Sequence, residues 1–378
     1  MNALESQLRY PFGDALPGPG ETLEVAPGVH WLRMRLPFEL DHINLWLLRD
    51  ALPDDAGDVR EGWTIVDCGI ADAATRAAWE QVFATGLEGL PVLRVVVTHM
   101  HPDHMGNAEW LCARWGVRLW MSATDYNAAR LASAGLAPFG GPRSAAFFAR
   151  HGLVESGTRA GIAGRTNYYA SLVPAVPPDY RRLRDGDRLV IGSGAAGNGA
   201  ARATDTGAAR SEWTCHAGYG HAPEHLSLHG AAAGVLISGD MVLPRISTNV
   251  SVTDLEPEGD PLALYLASIA RLRAIPGETL VLPSHGKPFT GLHTRIGQLE
   301  DHHAARFADV LEACARAPQQ AAELLPVLFR RPLDLHQTTF AMGEAVAHVN
   351  ALWHARKLER RVGADGIYRY ATPAQAGG

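Results

Sequence analysis

The apolar positions of the chain fall into strand-length blocks separated by helix-length amphipathic stretches. Val29–Pro37 and His42–Leu48 alternate in part and are rich in aromatic and branched residues, as half-buried strands are. Trp63–Asp67 is a short apolar run that stops at Cys68-Gly69, and Asp72–Thr85 follows with Trp79, Val82 and Phe83 on one helical side. Leu93–Val97 is a continuous run of strand length, succeeded by a helix over about Ala108–Trp115 and a strand over Arg118–Ser122. Strand, loop, helix, strand with continuous apolar runs predicts an α/β fold around a largely buried sheet.

From about Tyr126 to Tyr180 the pattern weakens into an excursion from the sheet, with helices expected near Asn127–Ser133 and Arg143–Arg150. Asp187–Ile191 reads as a strand. The Gly/Ala-rich stretch that follows, to about residue 212, has no period and reads as a flexible loop. Strands resume at Trp213–His216, Leu226–His229, Val235–Ser238 and Thr279–Pro283, with a helix at Pro261–Ala274 between the last two. Two groups of strands, each with its helices, predict two packed sheets with helices outside. After Lys287-Pro288 come helical patterns at Leu292–Arg316, Gln319–Leu328 and Thr339–Leu358. The end is hairpin-like, with a turn at Ala364-Asp365-Gly366. The expected division is an N-terminal extension (1–20), a catalytic domain (21–290, with residues 126–212 as an excursion that can serve as a lid) and a small helical, winged-helix-like domain (291–378).

Composition narrows the class. Hydrophobic residues make up 47% of the 378 and charged residues 20%, too apolar a balance for disorder. The formal net charge is −6, which does not advertise a nucleic-acid coat. The cysteines Cys68, Cys112, Cys215 and Cys314 are widely spaced with no CxxC pair, so neither a zinc knuckle nor a disulfide framework is indicated. No apolar stretch reaches the roughly 18 residues that span a bilayer, and the first twenty residues lack a signal-like apolar region, so the cytoplasm is expected.

Histidine is the excess: 17 residues, and not evenly spread. Thr98-His99-Met100-His101-Pro102-Asp103-His104 puts three imidazoles and a carboxylate directly after the buried run Leu93–Val97. Imidazole and carboxylate together suit Zn²⁺ and related ions. One ion cannot easily use all four groups from so short a loop, whereas two adjacent ions sharing ligands from elsewhere can. Candidate partners recur at strand ends: His221 in Gly220-His221-Ala222-Pro223-Glu224-His225, Asp240 closing Val235–Ser238, and His285 in Pro283-Ser284-His285-Gly286. Asp67 in Val66-Asp67-Cys68-Gly69 is the same device earlier in the chain.

With these five motifs the sequence resembles the metallo-β-lactamase superfamily, in its hydrolase branch, over roughly residues 20–290. The resemblance implies a four-layered αββα sandwich. It also implies one divalent ion held by His99, His101 and His221, a second by Asp103, His104 and His285, and Asp240 bridging the two. Asp67 would orient a ligand loop by hydrogen bonding, and His225 would sit just outside the ligands, either as support or in a substrate or leaving-group role. Zinc is the expected ion, with manganese or iron also accommodated by such shells. Two ions about 3.5–4 Å apart bring a shared water to a pKa of about 7. The expected nucleophile is therefore a metal-bridging hydroxide, with Asp103 as the catalytic carboxylate.

The His-x-Glu-x-Asp pattern of the oxygen-reducing diiron relatives is absent, which favours hydrolysis. Asn107 and the GHAPEH form depart from the glutathione-thioesterase branch. The C-terminal part resembles the winged-helix appendage of several hydrolases and of an endoribonuclease branch, on Asp301-His302-His303, Arg306 and Phe340–Glu344 with His348. The leading expectation is a hydrolase of a small ester, thioester or lactone. A phosphodiesterase or endoribonuclease using the same site, and a nucleic-acid- or partner-binding regulatory protein with a vestigial site, are the alternatives. Nucleic acid stays open as a partner but is not favoured, no membrane is expected, and a homodimer through the C-terminal helices stays open.

Overall fold

The computed structural model describes residues 4–53, 57–137, 139–192 and 211–373. Seven strands pair in sequential order: β1 (Leu23–Ala26), β2 (Val29–Arg35), β3 (His42–Pro53), β4 (Val59–Val66), β5 (Val92–Val96), β6 (Leu119–Met121) and β7 (Tyr180–Arg182). The first four are antiparallel, and β4 to β7 run parallel, so β4 and β5 end on the same edge. A second sheet has the order β12-β11-β10-β9-β8, from β8 (Arg188–Ile191), β9 (Ser211–Gly218), β10 (His225–Gly230), β11 (Val235–Gly239) and β12 (Leu280–Pro283). Only the pair β11/β12 is parallel there. The strands β13 (Glu359–Val362) and β14 (Tyr368–Ala371) form a C-terminal hairpin.

The helices are α1 (Ala73–Thr85), α2 (Pro102–Met105), α3 (Ala108–Trp115), α4 (Ala123–Ser133), α5 (Gly141–Arg150), α6 (Ser156–Ala163), α7 (Tyr168–Leu172), α8 (Pro261–Arg271), α9 (Leu292–Arg316), α10 (Leu325–Leu328) and α11 (Leu335–His354). Strand periodicity explains the layering, because successive side chains of β3 point to opposite faces. Trp46 and Leu48 meet Trp31, Trp213, Leu226 and Ile237 between the sheets. Leu45 and Leu47 pack outward with Trp79 and Val82 of α1 and Leu111 of α3. On the far side, Leu236 and Val281 are covered by α8 (Leu262, Tyr265), α9 (Ile296) and α11 (Met342, Val346). The result is the expected αββα sandwich, and the C-terminal helices belong to its outer core.

The expected excursion gives α4 to α7. The Gly/Ala-rich loop read at about 192–212 lies outside the described residues apart from its edges, where Ser211 and Glu212 already belong to β9. Three readings need correction. The edge strands β1 and β7 and the helices α6 and α7 are too short to leave a periodic signal. The helix read at Gln319–Leu328 is a 3₁₀ turn, Ala321–Leu324, followed by α10, because Pro326 has no N–H to continue the ladder and starts a new turn instead. Helix α11 begins at Leu335 rather than Thr339, where Asp334 and Gln337 form a capping box.

Candidate metal centre

Four strand ends and one loop meet at one edge between the sheets. His99 and His101 lie two residues apart in the bent loop after β5, which brings their ring centroids within 4.6 Å of each other. Pro102 then starts α2, and that single turn lifts Asp103 and His104 beside them. His221 comes from the β9–β10 connection, Asp240 from the end of β11 and His285 from the end of β12.

The ligand-type atoms form two groups, His99, His101, His221 and Asp240 in one and Asp103, His104 and His285 in the other. His99 Nε2, His101 Nδ1 and His221 Nε2 lie 2.9, 3.1 and 3.1 Å from one another. A tetrahedral ion with metal–nitrogen bonds of about 2.0–2.1 Å spaces its ligands by ~3.3 Å, so the trio is close to a preformed shell. Asp240 turns Oδ2 to this trio, 3.2 Å from His221 Nε2, and Oδ1 to the other group, 3.5 Å from both His104 Nε2 and His285 Nε2. Asp103 Oδ2 lies 3.3 Å from His285 Nε2 and 3.6 Å from His104 Nε2. His104 Nε2 and Asp240 Oδ1 are buried without a hydrogen-bond partner. Such atoms are costly unless something else binds them, and a cation between them fits the donor set.

The opposite ring nitrogens are tied down, which fixes tautomers. His221 Nδ1 donates to the Asn249 carbonyl and His285 Nδ1 to the His42 carbonyl, both at 2.8 Å. His104 Nδ1 donates to Asp67 Oδ2 at 2.9 Å. Each bond leaves Nε2 as the nitrogen that faces the centre. Asp67 sits at φ 65, a left-handed conformation that aspartate tolerates better than most residues. From there its carboxylate accepts the Thr98 N–H (2.8 Å) and hydroxyl (2.9 Å). His225 is fully buried and accepts the Asp240 N–H at Nε2 across 3.2 Å. Gly239 lies under it at φ +53, and a Cβ there would stand 2.2 Å from that nitrogen. The structure thus brings together all nine residues expected from the sequence, with Asp67 and His225 behind the others.

The electrostatics divide the imidazoles. Burial, reinforced by the neighbouring rings, holds His99 and His225 well below the ordinary range and His101 down to about 3. Burial also opposes charge on His104 and His285, yet the surrounding carboxylates outweigh it: His104 is raised by Asp67, Asp103 and Asp240, and His285 to about 10 by Asp240 and Asp103. Despite their own burial, Asp240 is held well below the usual carboxylate range and Asp103 at about 2 by His104 and His285. Without a metal, imidazolium charge occupies a field that suits a cation.

Several positioning residues escaped the sequence reading. Asp125 accepts the Met100 N–H at 2.8 Å and the Glu224 N–H at 2.5 Å, so it clamps the two histidine loops together, and burial raises it to about 6. Its only sequence signal is the Ser122-x-x-Asp125 helix start. Asn44 donates to the Pro283 and Gly286 carbonyls, shaping the His285 loop. Asn44 is a buried polar residue within the otherwise apolar part of β3.

A cavity of about 380 Å³ opens beside His101 and His221. Of the aromatics in the excursion, Phe139, Phe148 and Tyr168 line it with Phe340 of α11. Tyr126, Phe147 and Tyr169 do not. Tyr126 donates to the Pro177 carbonyl, Tyr169 to the Met100 carbonyl, and Phe147 packs in the core.

The family model described as "Metallo-beta-lactamase superfamily" matches residues 41–285. The chain belongs to that superfamily. A second model, "Metallo-beta-lactamase-like, C-terminal domain", matches residues 307–373. A crystal structure of a beta-lactamase domain protein from Burkholderia ambifaria is 55% identical and superposes with a TM-score of 0.87, covering 98% of this chain and 100% of that one. A metallo-beta-lactamase family protein from Thermus thermophilus is 26% identical, with a TM-score of 0.72 over 93% of this chain and 100% of that one. In Bacillus subtilis (strain 168), the probable metallo-hydrolase YflN is 25% identical over 73% of this chain and 90% of its own length. The probable metallo-hydrolase YqjP is 29% identical over 35% of this chain, a match that spans only 42% of YqjP. The superfamily chain is a metal-dependent hydrolase whose His/Asp clusters suit a pair of metal ions. No helix among the described residues is long and apolar enough to cross a membrane.

Proposed function

We propose that the protein is a dinuclear metal-dependent hydrolase of a small ester, thioester or lactone. His99, His101 and His221 would hold one ion, and Asp103, His104 and His285 the other, with Asp240 serving both and Asp67 and His225 as positioning residues. Zinc is the proposed ion, with manganese or iron as alternatives accepted by the same donors. Bound divalent ions supply Lewis acidity and make a water nucleophilic near neutral pH. The chain's own part is positional: the tautomer-fixing bonds keep Nε2 of His104, His221 and His285 facing the centre, and Asp103 orients the attacking water and receives its proton. The His104–Asp67 bond keeps that arrangement from rotating.

The observation that carries the reading is the divided orientation of Asp240, whose two oxygens face the two ligand groups beside an apolar cavity. The cavity favours a small acyl substrate over a nucleic acid. Among its described lining residues Arg165 is the only Arg or Lys, alongside Asp254, Glu256 and Asp260. Steady-state assays of the metal-loaded protein on thioester, lactone, β-lactam and phosphodiester panels test this. Turnover of an acyl compound well above the phosphodiester is expected, and the reverse ranking sinks the proposal.

A further inference from the structure

Among its described lining residues the cavity beside His101 and His221 has one Arg or Lys, Arg165, and no described carboxylate pairs with it. Arg165 lies between α6 and α7 and lines the cavity with Tyr168 and Thr339. Its guanidinium stands 5.0 Å from the Tyr168 ring centroid, donates Nη1 to Thr339 Oγ1 at 3.4 Å and Nη2 to His336 Nδ1 at 3.1 Å. All of these partners are neutral: His336 is lowered from its ordinary range by burial and by Arg165, and it stacks on Phe38 with centroids 5.5 Å apart. Arg295 is buried on the Leu243 and Ile246 carbonyls and the Gln298 amide, outside the cavity wall, whereas three other shielded arginines are ion-paired. Arg94 meets Asp50 at 2.6 Å, Arg49 meets Glu88 at 2.7 Å, and Arg360 pairs with Glu258. Among the described residues no carboxylate lies within ion-pair distance of Arg165.

The remaining carboxylates of the wall are engaged elsewhere or open to water. Asp254 accepts the Ser144 hydroxyl at 2.7 Å and faces Arg143 at 3.4 Å. Asp260 caps α8 through the Ala263 N–H, and Glu256 is exposed. Arg165 is also joined to the metal centre by short links. Gly140 packs against it so closely that a Cβ there would stand 2.7 Å from Arg165 Cβ, and the adjacent Phe139 ring lies 6.0 Å from the His101 ring.

We infer that Arg165 anchors an anionic group on the substrate. The preferred substrate is then an acyl ester, thioester or lactone whose apolar body fills the cavity and whose far end carries a carboxylate or a phosphate. This rests on the acyl-hydrolase reading above. A guanidinium with five N–H donors, two of them spent on neutral side chains, presents the fork geometry that such anions match. Aromatic walls supply the apolar contact on the way to the metals.

The test compares p-nitrophenyl butyrate, the p-nitrophenyl monoester of glutaric acid and a phosphate-tailed acyl ester of similar length, using the metal-loaded enzyme. The anionic esters are expected to show kcat/KM about tenfold or more above the neutral one, carried by KM. In Arg165→Ala that ratio should collapse toward one, a loss of about ten- to a hundredfold for a charge-assisted bond. Arg165→Lys, which keeps the charge but not the fork, should restore part of it. The better of the two anionic tails tells carboxylate from phosphate. An unchanged ratio in Arg165→Ala overturns the inference. If no ester is turned over, the acyl-hydrolase reading fails, and calorimetric binding of glutarate and inorganic phosphate decides the anchor separately. Tenfold weaker binding in Arg165→Ala supports it, and equal binding overturns it.

Discussion

The side-chain amide of Asn249 donates to Glu344 Oε2 across 3.3 Å, and so helix α11 holds the residue whose carbonyl fixes His221. The C-terminal part is therefore tied to the metal centre and is more than an appendage beside it. Gly343 strengthens the tie, accepting the Val252 N–H at 3.1 Å and leaving room for Ser251, whose Oγ would lie 2.6 Å from a Cβ at that position.

Glu344 gives this contact a pH signature. Burial raises its carboxyl from 4.5 to about 7, against the opposing bond from Asn249. The folded state therefore binds a proton that the unfolded state has released, so stability falls as pH rises from about 4.5 to 7 and levels off above. Glu344→Gln should remove that slope and be the more stable form at pH 8 by on the order of 2–3 kcal/mol. Thermal unfolding from pH 5 to pH 8 measures it. Identical slopes in the two proteins would contradict the buried, proton-sensitive role.

Metal uptake has the opposite sign. In the metal-free protein His104 is raised and His285 stands near 10, so both are protonated at pH 7. They contribute stability that is fully present below about 6.5 and is lost as pH climbs through their folded values. Metal must displace both protons. Calorimetry in buffers of different ionisation enthalpy should record about two protons released per chain, and apparent affinity should rise with pH between 6 and 8. Binding without proton release would rule out these imidazoles as ligands.

Asp67 and His225 act through their neighbours. Asp67→Asn removes the anion that holds Thr98 and His104, and should weaken the ion at His104 by about ten- to a hundredfold. His225→Ala frees the Asp240 N–H and should cost a similar factor in activity with a smaller loss of bound metal. Competition with a chromogenic chelator separates the two. Equal metal affinity in Asp67→Asn and the native protein would remove Asp67 from the assembly.

Much of this was legible in the sequence because it is carried by local patterns. The run Leu93–Val97 followed by His99 to His104 announces both a buried strand and its ligands, and the 25-residue α9 is read at its observed ends from amphipathic spacing alone. What was missed depends on partners remote in the chain. Asn44 acts on residues 239 and 242 positions away, and Asp125 reaches Glu224 across 99. The Arg94–Asp50 pair, buried between the sheets at 2.6 Å, left only a charge in an apolar strand. Arg165 gave no signal, because its significance lies in the carboxylate that is not beside it among the described residues.

That buried pair supplies a stability test independent of metal. Asp50 accepts from both Arg94 and the Thr64 hydroxyl, so Asp50→Ala takes the carboxylate away from a buried guanidinium and leaves it neutral partners such as Thr64 Oγ1 and the Val190 carbonyl. A loss of about 3–5 kcal/mol is expected by denaturant unfolding. A loss below about 1 kcal/mol would mean that water reaches the guanidinium.

The central claim is that Asp240 joins two ions in one site. Metal analysis of the purified protein and of Asp240→Ala, read beside hydrolytic turnover, tests it most directly. The account predicts two ions per chain at full activity, and in Asp240→Ala no more than about one ion with turnover nearly abolished. Full activity with a single ion, or two tightly held ions and undiminished turnover without Asp240, would contradict it.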